Sequence, residues 1–144
     1  MYFSKIEFGT PEYAATVALR DEVLRKPLNL QFAAQQLAEE WQDIHFVCFD
    51  RSDAILACMI FTPKGKDLVK MRQVAVLPEL QGKGIGSRFV KASELFAGRL
   101  GFKKIELNAR KSAVYFYEKL GYEKVGAQFT EVGIPHFKME KKLT

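Results

Sequence analysis

Two cysteines and two histidines are all that this chain has of either residue. Cys48 and Cys58 sit inside apolar, strand-like runs, and His45 and His136 show no metal-ligand spacing relative to them. A disulfide framework and a zinc site are therefore not expected, and both cysteines read as core residues. No apolar run approaches the ~18 residues that a membrane span needs. The opening MYFSKIEF lacks the apolar centre of a signal peptide, so the expected compartment is the cytoplasm, with no membrane contact. Net charge is +5, yet no run of five or more basic residues occurs and the lysines are interleaved with acids. That pattern argues against nucleic acid as a partner. There is no repeat, low-complexity stretch or linker. The 144 residues, 48% hydrophobic and 27% charged, read as one soluble globular domain spanning 1–144.

What the chain does have is a dense stretch from Met71 to Arg88, MRQVAVLPELQGKGIGSR. Met71 to Leu77 reads as a buried strand, with Val74 and Val76 β-branched, and Pro78 ends it. Gln81-Gly82-Lys83-Gly84-Ile85-Gly86-Ser87 follows, with three glycines in five positions. Apolar residues then return at helical spacing from Ile85 through Phe89, Ala92 and Phe96 to Leu100. Glycines before a helix start leave backbone N–H groups free at the positive end of the helix dipole. That combination is an anion site, with phosphate the usual occupant. An ordinary strand-to-helix turn would also use glycines. The dinucleotide pattern G-x-G-x-x-G fails at Ser87, and the P-loop pattern fails because no lysine follows Gly86. Lys83, Arg88 and Lys91 cluster around the loop and would suit a polyanion.

A second segment lies downstream. Lys104 to Asn108 reads as a short strand, followed by SAVYFYEKLGY from Ser112 to Tyr122. Ala113, Phe116, Tyr117 and Leu120 share a helical face, and Gly121 is placed to end that helix. The Q-x-x-G-x-G of Gln81, Gly84 and Gly86 resembles the pyrophosphate-binding motif of the GNAT superfamily, the acyl-CoA-dependent N-acyltransferases. SAVYFYEKLGY is similar to the A-x-x-F-Y-E-K-L-G-F segment of the same proteins. The likeness covers roughly Leu56 to Leu143. The closing Glu131-Val-Gly-Ile-Pro-His-Phe-Lys-Met139 resembles the ending of bacterial members of the ElaA and YjcF groups. The acidic segment that those members carry after the first helix is absent.

Read in order, the chain predicts a strand at Tyr2–Phe8 and a helix from Thr10-Pro11 to about Arg25, stopped by Pro27. A second helix is expected at Asn29–Asp43, with Phe32, Leu37 and Trp41 inward and Glu39 and Glu40 outward. Strands are expected at Ile44–Phe49, Ala54–Thr62 and Leu68–Leu77, then the helix Gly86–Leu100. The Lys104–Asn108 strand should lie parallel to the central strand, because a helical crossover separates them. Strands at Tyr122–Ala127 and Phe137–Lys142 close the chain. The resemblance implies an α/β fold of GNAT type, a mixed, mostly antiparallel central sheet with helices on both faces.

It also implies acetyl-CoA as the acyl donor and a primary amine as acceptor in a direct ternary complex. A small polyamine, an amino acid or antibiotic amine, and a protein N-terminus or lysine all fit, and the short first half, with no room for a large recognition domain, favours a small molecule. No cysteine stands near the two motifs to carry the acyl group. By the same resemblance Val74, Ala75 and Val76 offer a bulged strand edge to pantetheine, and a bulge frees an N–H as oxyanion donor. Gly82, Lys83, Gly84, Ile85, Gly86 and Ser87 would hold pyrophosphate, with Gln81 bracing the loop. Tyr117 is the expected acid for the leaving sulfur, its unperturbed pKa of ~10 keeping it protonated. Tyr115 is its adjacent rival, and plain aromatic packing is the other reading of Tyr117. Where family members often carry asparagine three residues before the helix alanine, this chain has Arg110, so either Arg110 reaches a CoA phosphate instead or that contact is missing. Glu131 and His136 flank a Gly-Ile-Pro turn and are candidate bases. Arg20 and Glu22 on the first helix are candidates for a charged acceptor. Homodimers are common in the family. Two other functions fit the loop: a CoA-binding protein without catalysis, and a nucleotide-binding enzyme of another class.

Overall fold

The computed structural model describes all of residues 1–144. The strand β1 (Tyr2–Ile6) leads to Thr10, whose hydroxyl accepts from the Tyr13 N–H at 3.2 Å and caps the helix α1 (Pro11–Arg20). Pro11 at the first helical position costs no hydrogen bond there. After Arg20 the helix widens into one π turn, Asp21–Arg25, and tightens into a 3₁₀ turn, Lys26–Leu28, around Pro27. Asn29 then turns left-handed at φ 55°.

The second helix differs from the expectation. Residues 29–33 are not helical, α2 covers only Ala34–Ala38, and a 3₁₀ turn follows at Glu39–Gln42. Inside and outside are exchanged there as well. Glu40 is 2% exposed, whereas Trp41 is 65% exposed. The physical cause is a partner that periodicity cannot reveal. Arg20 is itself 1% exposed, and its guanidinium forks onto Glu40 with both N–H···O distances at 2.7 Å. A three-residue turn sets Glu40 on the same side as Leu37 and rotates Trp41 away. Arg20 is thus closed off within the fold, and it is not available to a charged acceptor.

The sheet follows as β2 (Ile44–Phe49), β3 (Ile55–Pro63), β4 (Leu68–Val76), β5 (Lys104–Arg110), β6 (Glu123–Glu131) and β7 (Ile134–Lys142), in the spatial order β1-β2-β3-β4-β5-β7-β6. All neighbours are antiparallel except β4 and β5, which the helix α3 (Ile85–Arg99) joins by a crossover. The helix α4 (Val114–Lys119) joins β5 to β6. The mixed, mostly antiparallel sheet with helices on both faces is as expected. Strand alternation builds two cores. Phe46 and Cys48 of β2 face α3, where Phe46 stacks on Phe89 and Phe96 with centroids 5.6 and 4.7 Å apart. Val47 and Phe49 face the other way, with Tyr13 and Leu19 of α1. Both cysteines are buried and free, one in each core. Phe89 is 0% exposed, so Phe89→Ala is expected to cost about 3–5 kcal/mol, read as a lower urea midpoint at unchanged slope.

Two irregularities in β4 shape the molecule. Cys58 pairs with Ala75 and Ile60 with Arg72, so Gln73 and Val74 together oppose Met59. This is a β-bulge, and Gln73 sits in it at φ 56°. Pairing of β4 with β5 is confined to Leu68–Met71 against Lys104–Leu107. Beyond Met71 the two parallel strands part, and a cleft opens between them.

Candidate active site

The cleft encloses about 620 Å³ where β4 leaves β5. Val74, Arg110, Tyr117, Glu131 and His136, all expected at the site, line it together. Ala75 is different: its side chain is 2% exposed in the α1-side core, so only its backbone is on offer.

Tyr117 comes from α4, wedged against Phe116 and Tyr122 by edge-on contacts with centroids 5.0 and 5.5 Å away. Those contacts bury the ring, yet the hydroxyl reaches the cleft without any hydrogen-bond partner in the protein. Burial alone pushes its pKa up to about 12, so it holds its proton at neutral pH. Tyr115, two residues earlier, is 71% exposed, beneath the Lys119 ammonium and away from the cleft. Gly121 ends the segment at φ 96°.

The glycine loop begins after a 3₁₀ turn at Pro78–Leu80. The Gln81 side-chain amide donates to the Val76 carbonyl at 3.1 Å and ties the loop to the end of β4. Gly82 and Gly84 take left-handed φ of 79° and 82°, which is why glycine stands there. Gly86 is different: a Cβ there would meet Phe116 at an ordinary 3.5 Å. None of the backbone N–H groups of residues 82–87 donates to another backbone or side-chain group. They end a helix of 15 residues, and Lys83 and Ser87 lie among them. Free amides at a helix N-terminus with a lysine beside them are an arrangement that could hold a phosphate.

His136 lies on β7 directly opposite Arg110 of β5. Its Nδ1 is 2.9 Å from the Ile134 carbonyl, which can only accept. The neutral ring therefore carries its proton on Nδ1 and keeps a lone pair on Nε2. Nε2 lies 3.7 Å from a Glu131 carboxylate oxygen at the rim. The turn between them is Val132-Gly133, with φ of 46° and 78°, rather than the expected Gly-Ile-Pro, and Ile134 and Pro135 already belong to β7. Two left-handed residues in sequence make the hairpin turn that matches strand twist, and so decide its position.

Arg110, expected at a CoA phosphate, faces away from α3. It donates to the Leu24 carbonyl at 3.3 Å, on the α1 side of the sheet. Residues not singled out in the sequence also line the cleft: Arg25, Lys70, Arg72, Gln73 and Asn108. For Lys70 and Arg72 the signal was available in β4 as Val69-Lys70-Met71-Arg72, charge alternating with apolar residues in what otherwise reads as a buried strand. Such alternation marks a strand with one polar face.

The family model described as the acetyltransferase (GNAT) domain matches residues 15–143. The chain belongs to the GNAT acetyltransferase family. Among relatives of this GNAT chain, an uncharacterized N-acetyltransferase, YjcF, of Bacillus subtilis strain 168 is 32% identical over 125 residues, covering 85% of this chain and 87% of that protein. The fold is similar to that of Escherichia coli ElaA, with TM-score 0.83 and 18% identity over 97% of this chain and 98% of the other. It is also similar to a GNAT family acetyltransferase from Elizabethkingia anophelis with acetyl-CoA bound, with TM-score 0.76 and 17% identity over 99% and 97%. The likeness of the closing segment to the ElaA and YjcF groups agrees with these matches. The chain is accordingly an acyltransferase of the GNAT family. No helix is long and apolar enough to cross a membrane.

Proposed function

We propose that this GNAT chain transfers an acetyl group from acetyl-CoA to a primary amine of a small molecule, in a direct ternary complex. The observation that carries the reading is the parting of β4 from β5, beside the free N–H groups of residues 82–87 and with Tyr117 in its wall. Acetyl-CoA supplies an activated thioester acyl group. The 82–87 amides bind its pyrophosphate, with Lys83 and the Ser87 hydroxyl beside them. The β4 edge beyond Met71, left without a ladder partner, takes the pantetheine amides as an added strand would, and the bulge at Gln73-Val74 turns an N–H toward the acyl oxygen. Tyr117 holds a proton at its hydroxyl for the departing sulfur. His136 Nε2, its tautomer set by Ile134, takes the proton from the amine, and Glu131 stabilises the imidazolium that results. Holding both substrates in one cleft lowers the barrier further by several kcal/mol. Direct transfer is favoured because Cys48 and Cys58 do not line the cleft, and burial pushes the Cys58 thiol up to about 12.

The test uses Ser87→Glu. A glutamate in the first turn of α3 suits the helix dipole, so the variant is expected to melt at or above the native temperature. Its carboxylate, however, occupies the amides and repels pyrophosphate. Acetyl-CoA and CoA should raise the native melting temperature, by an amount equivalent to about 2.7 kcal/mol at a hundred times Kd, and should leave Ser87→Glu unmoved. ATP and NAD should shift the native protein less than either CoA species does. Absence of a CoA shift in the native protein would undo the reading.

A further inference from the structure

We infer that the acceptor is an amine that also carries a carboxylate, held on the α1 face of the sheet by Lys70, Arg110 and Arg25. The inference rests on the acyl-transfer reading of the cleft and deepens it. Alternation places Val69 and Met71 of β4, and Leu107 and Ala109 of β5, in the α3-side core. Lys70, Arg72 and Arg110 therefore face α1, and Arg25 joins them from the turn after that helix. Arg72 is already engaged, with the Thr62 hydroxyl at 3.1 Å and an Asp43 carboxylate oxygen at 3.8 Å. The other three have no acidic partner. Arg110 makes one bond, to a neutral carbonyl, and Arg25 stacks on Phe32 at 4.5 Å. Glu131 is the single carboxylate lining this cleft, and its side chain is 46% exposed beside His136.

The cosubstrate does not account for these charges, because the candidate phosphate cradle belongs to α3, on the opposite face. Burial and the neighbouring Arg72 lower the pKa of Lys70, and burial with Arg20 and Arg110 lowers that of Arg25. Glu131 and Glu106 offset part of the charge at Lys70, and Glu40 part of that at Arg25, but with no carboxylate in ion-pair contact the crowded cations still favour an anion between them. Two guanidinium forks and an ammonium suit a carboxylate. The same field disfavours a second ammonium, so diamines and polyamines are rejected by like-charge repulsion. It also lowers the pKa of the reacting amine and helps to keep it neutral for attack.

The test has two arms. In the first, native protein with acetyl-CoA is offered amino acids and the corresponding amino acid amides as matched pairs, together with putrescine and spermidine, and thiol release is followed. The acid of a pair should exceed its amide by about tenfold or more in kcat/KM. Lys70→Gln and Arg110→Gln should erase that preference through KM, and Arg110→Lys should restore part of it. Preference for amides or polyamines would overturn the inference while leaving acyl transfer intact. In the second arm, succinate is titrated against melting temperature with CoA present. Its midpoint should rise about tenfold or more in both Gln variants. A midpoint common to native and variant proteins would also overturn the inference. A succinate shift lost in the variants, with no amine turned over, would keep the anion site and remove the acyl-transfer reading instead.

Discussion

Tyr117→Phe is expected to lower kcat by about 10²- to 10⁴-fold, with the KM for acetyl-CoA nearly unchanged. The hydroxyl has no partner within the protein, so its removal breaks no structural hydrogen bond, and the ring that fills the core between Phe116 and Tyr122 remains. Melting temperature should therefore stay near the native value, which separates a lost proton donor from a damaged fold. Tyr115→Phe is the control. Its ring is exposed outside the cleft, and kcat should not change. Because burial pushes Tyr117 up to about 12, it stays protonated through the neutral and mildly alkaline range. Any fall in rate between pH 8 and about 10 must then come from another group. Thiol release followed across pH in native and variant proteins checks both statements. A Tyr117→Phe enzyme with native kcat would move the acid role to another group.

Glu40→Ala is expected to destabilise the protein by about 3–5 kcal/mol, because it leaves the Arg20 guanidinium buried without its counter-ion. At this chain length the melting temperature should fall by about 10 °C or more. The Tyr13 hydroxyl also donates to Glu40, at 2.8 Å, and Glu40 offers its backbone carbonyl to His45 at 2.9 Å. Replacing both charges, as Arg20→Met with Glu40→Leu, should recover most of the loss. The pH dependence has a definite sign. Burial pushes the Glu40 carboxyl up, but the Arg20 fork and the Tyr13 hydroxyl outweigh it and hold the group below the usual carboxylate range. A depressed folded pKa gives stability that is present above the unfolded value of ~4.3 and is lost as pH falls through the folded value. The gap in urea midpoint between native and Glu40→Ala should therefore be full at neutral pH and narrow in strong acid. A gap independent of pH would mean that packing, rather than charge, holds this joint. The pair also ties α1 to the α2 segment, which places Gln36 at the cleft, so Glu40→Ala should raise the acceptor KM more than the acetyl-CoA KM.

The contrast between Tyr117 and Glu40 shows what can be read from letters. Tyr117, Gln81 and the glycines lie in local motifs, where a strand, a turn and a helix start are set by neighbours within a few residues. Gly82 and Gly84 need positive φ, and Gly121 ends a helix, so these positions were legible one residue at a time. The parallel pairing of β4 and β5 followed from the crossover between them, and the alternating strands followed from hydrophobic period. Val132-Gly133 was missed because a β-branched residue is a poor guide to a left-handed turn, and the more obvious Gly-Ile-Pro drew the boundary.

The chain by itself determined the order of its elements, the two motifs and the family that they mark, because each depends on short-range chemistry. Tertiary structure alone decided which charges are buried together. Arg20 and Glu40 stand 20 residues apart and look like ordinary helix-surface residues until folding removes water from both. It also decided that Lys70, Arg110 and Arg25 share one face of the cleft without an ion-pair partner. They come from two strands that part and from one turn across the sheet, and only the packing of those elements brings the charges together.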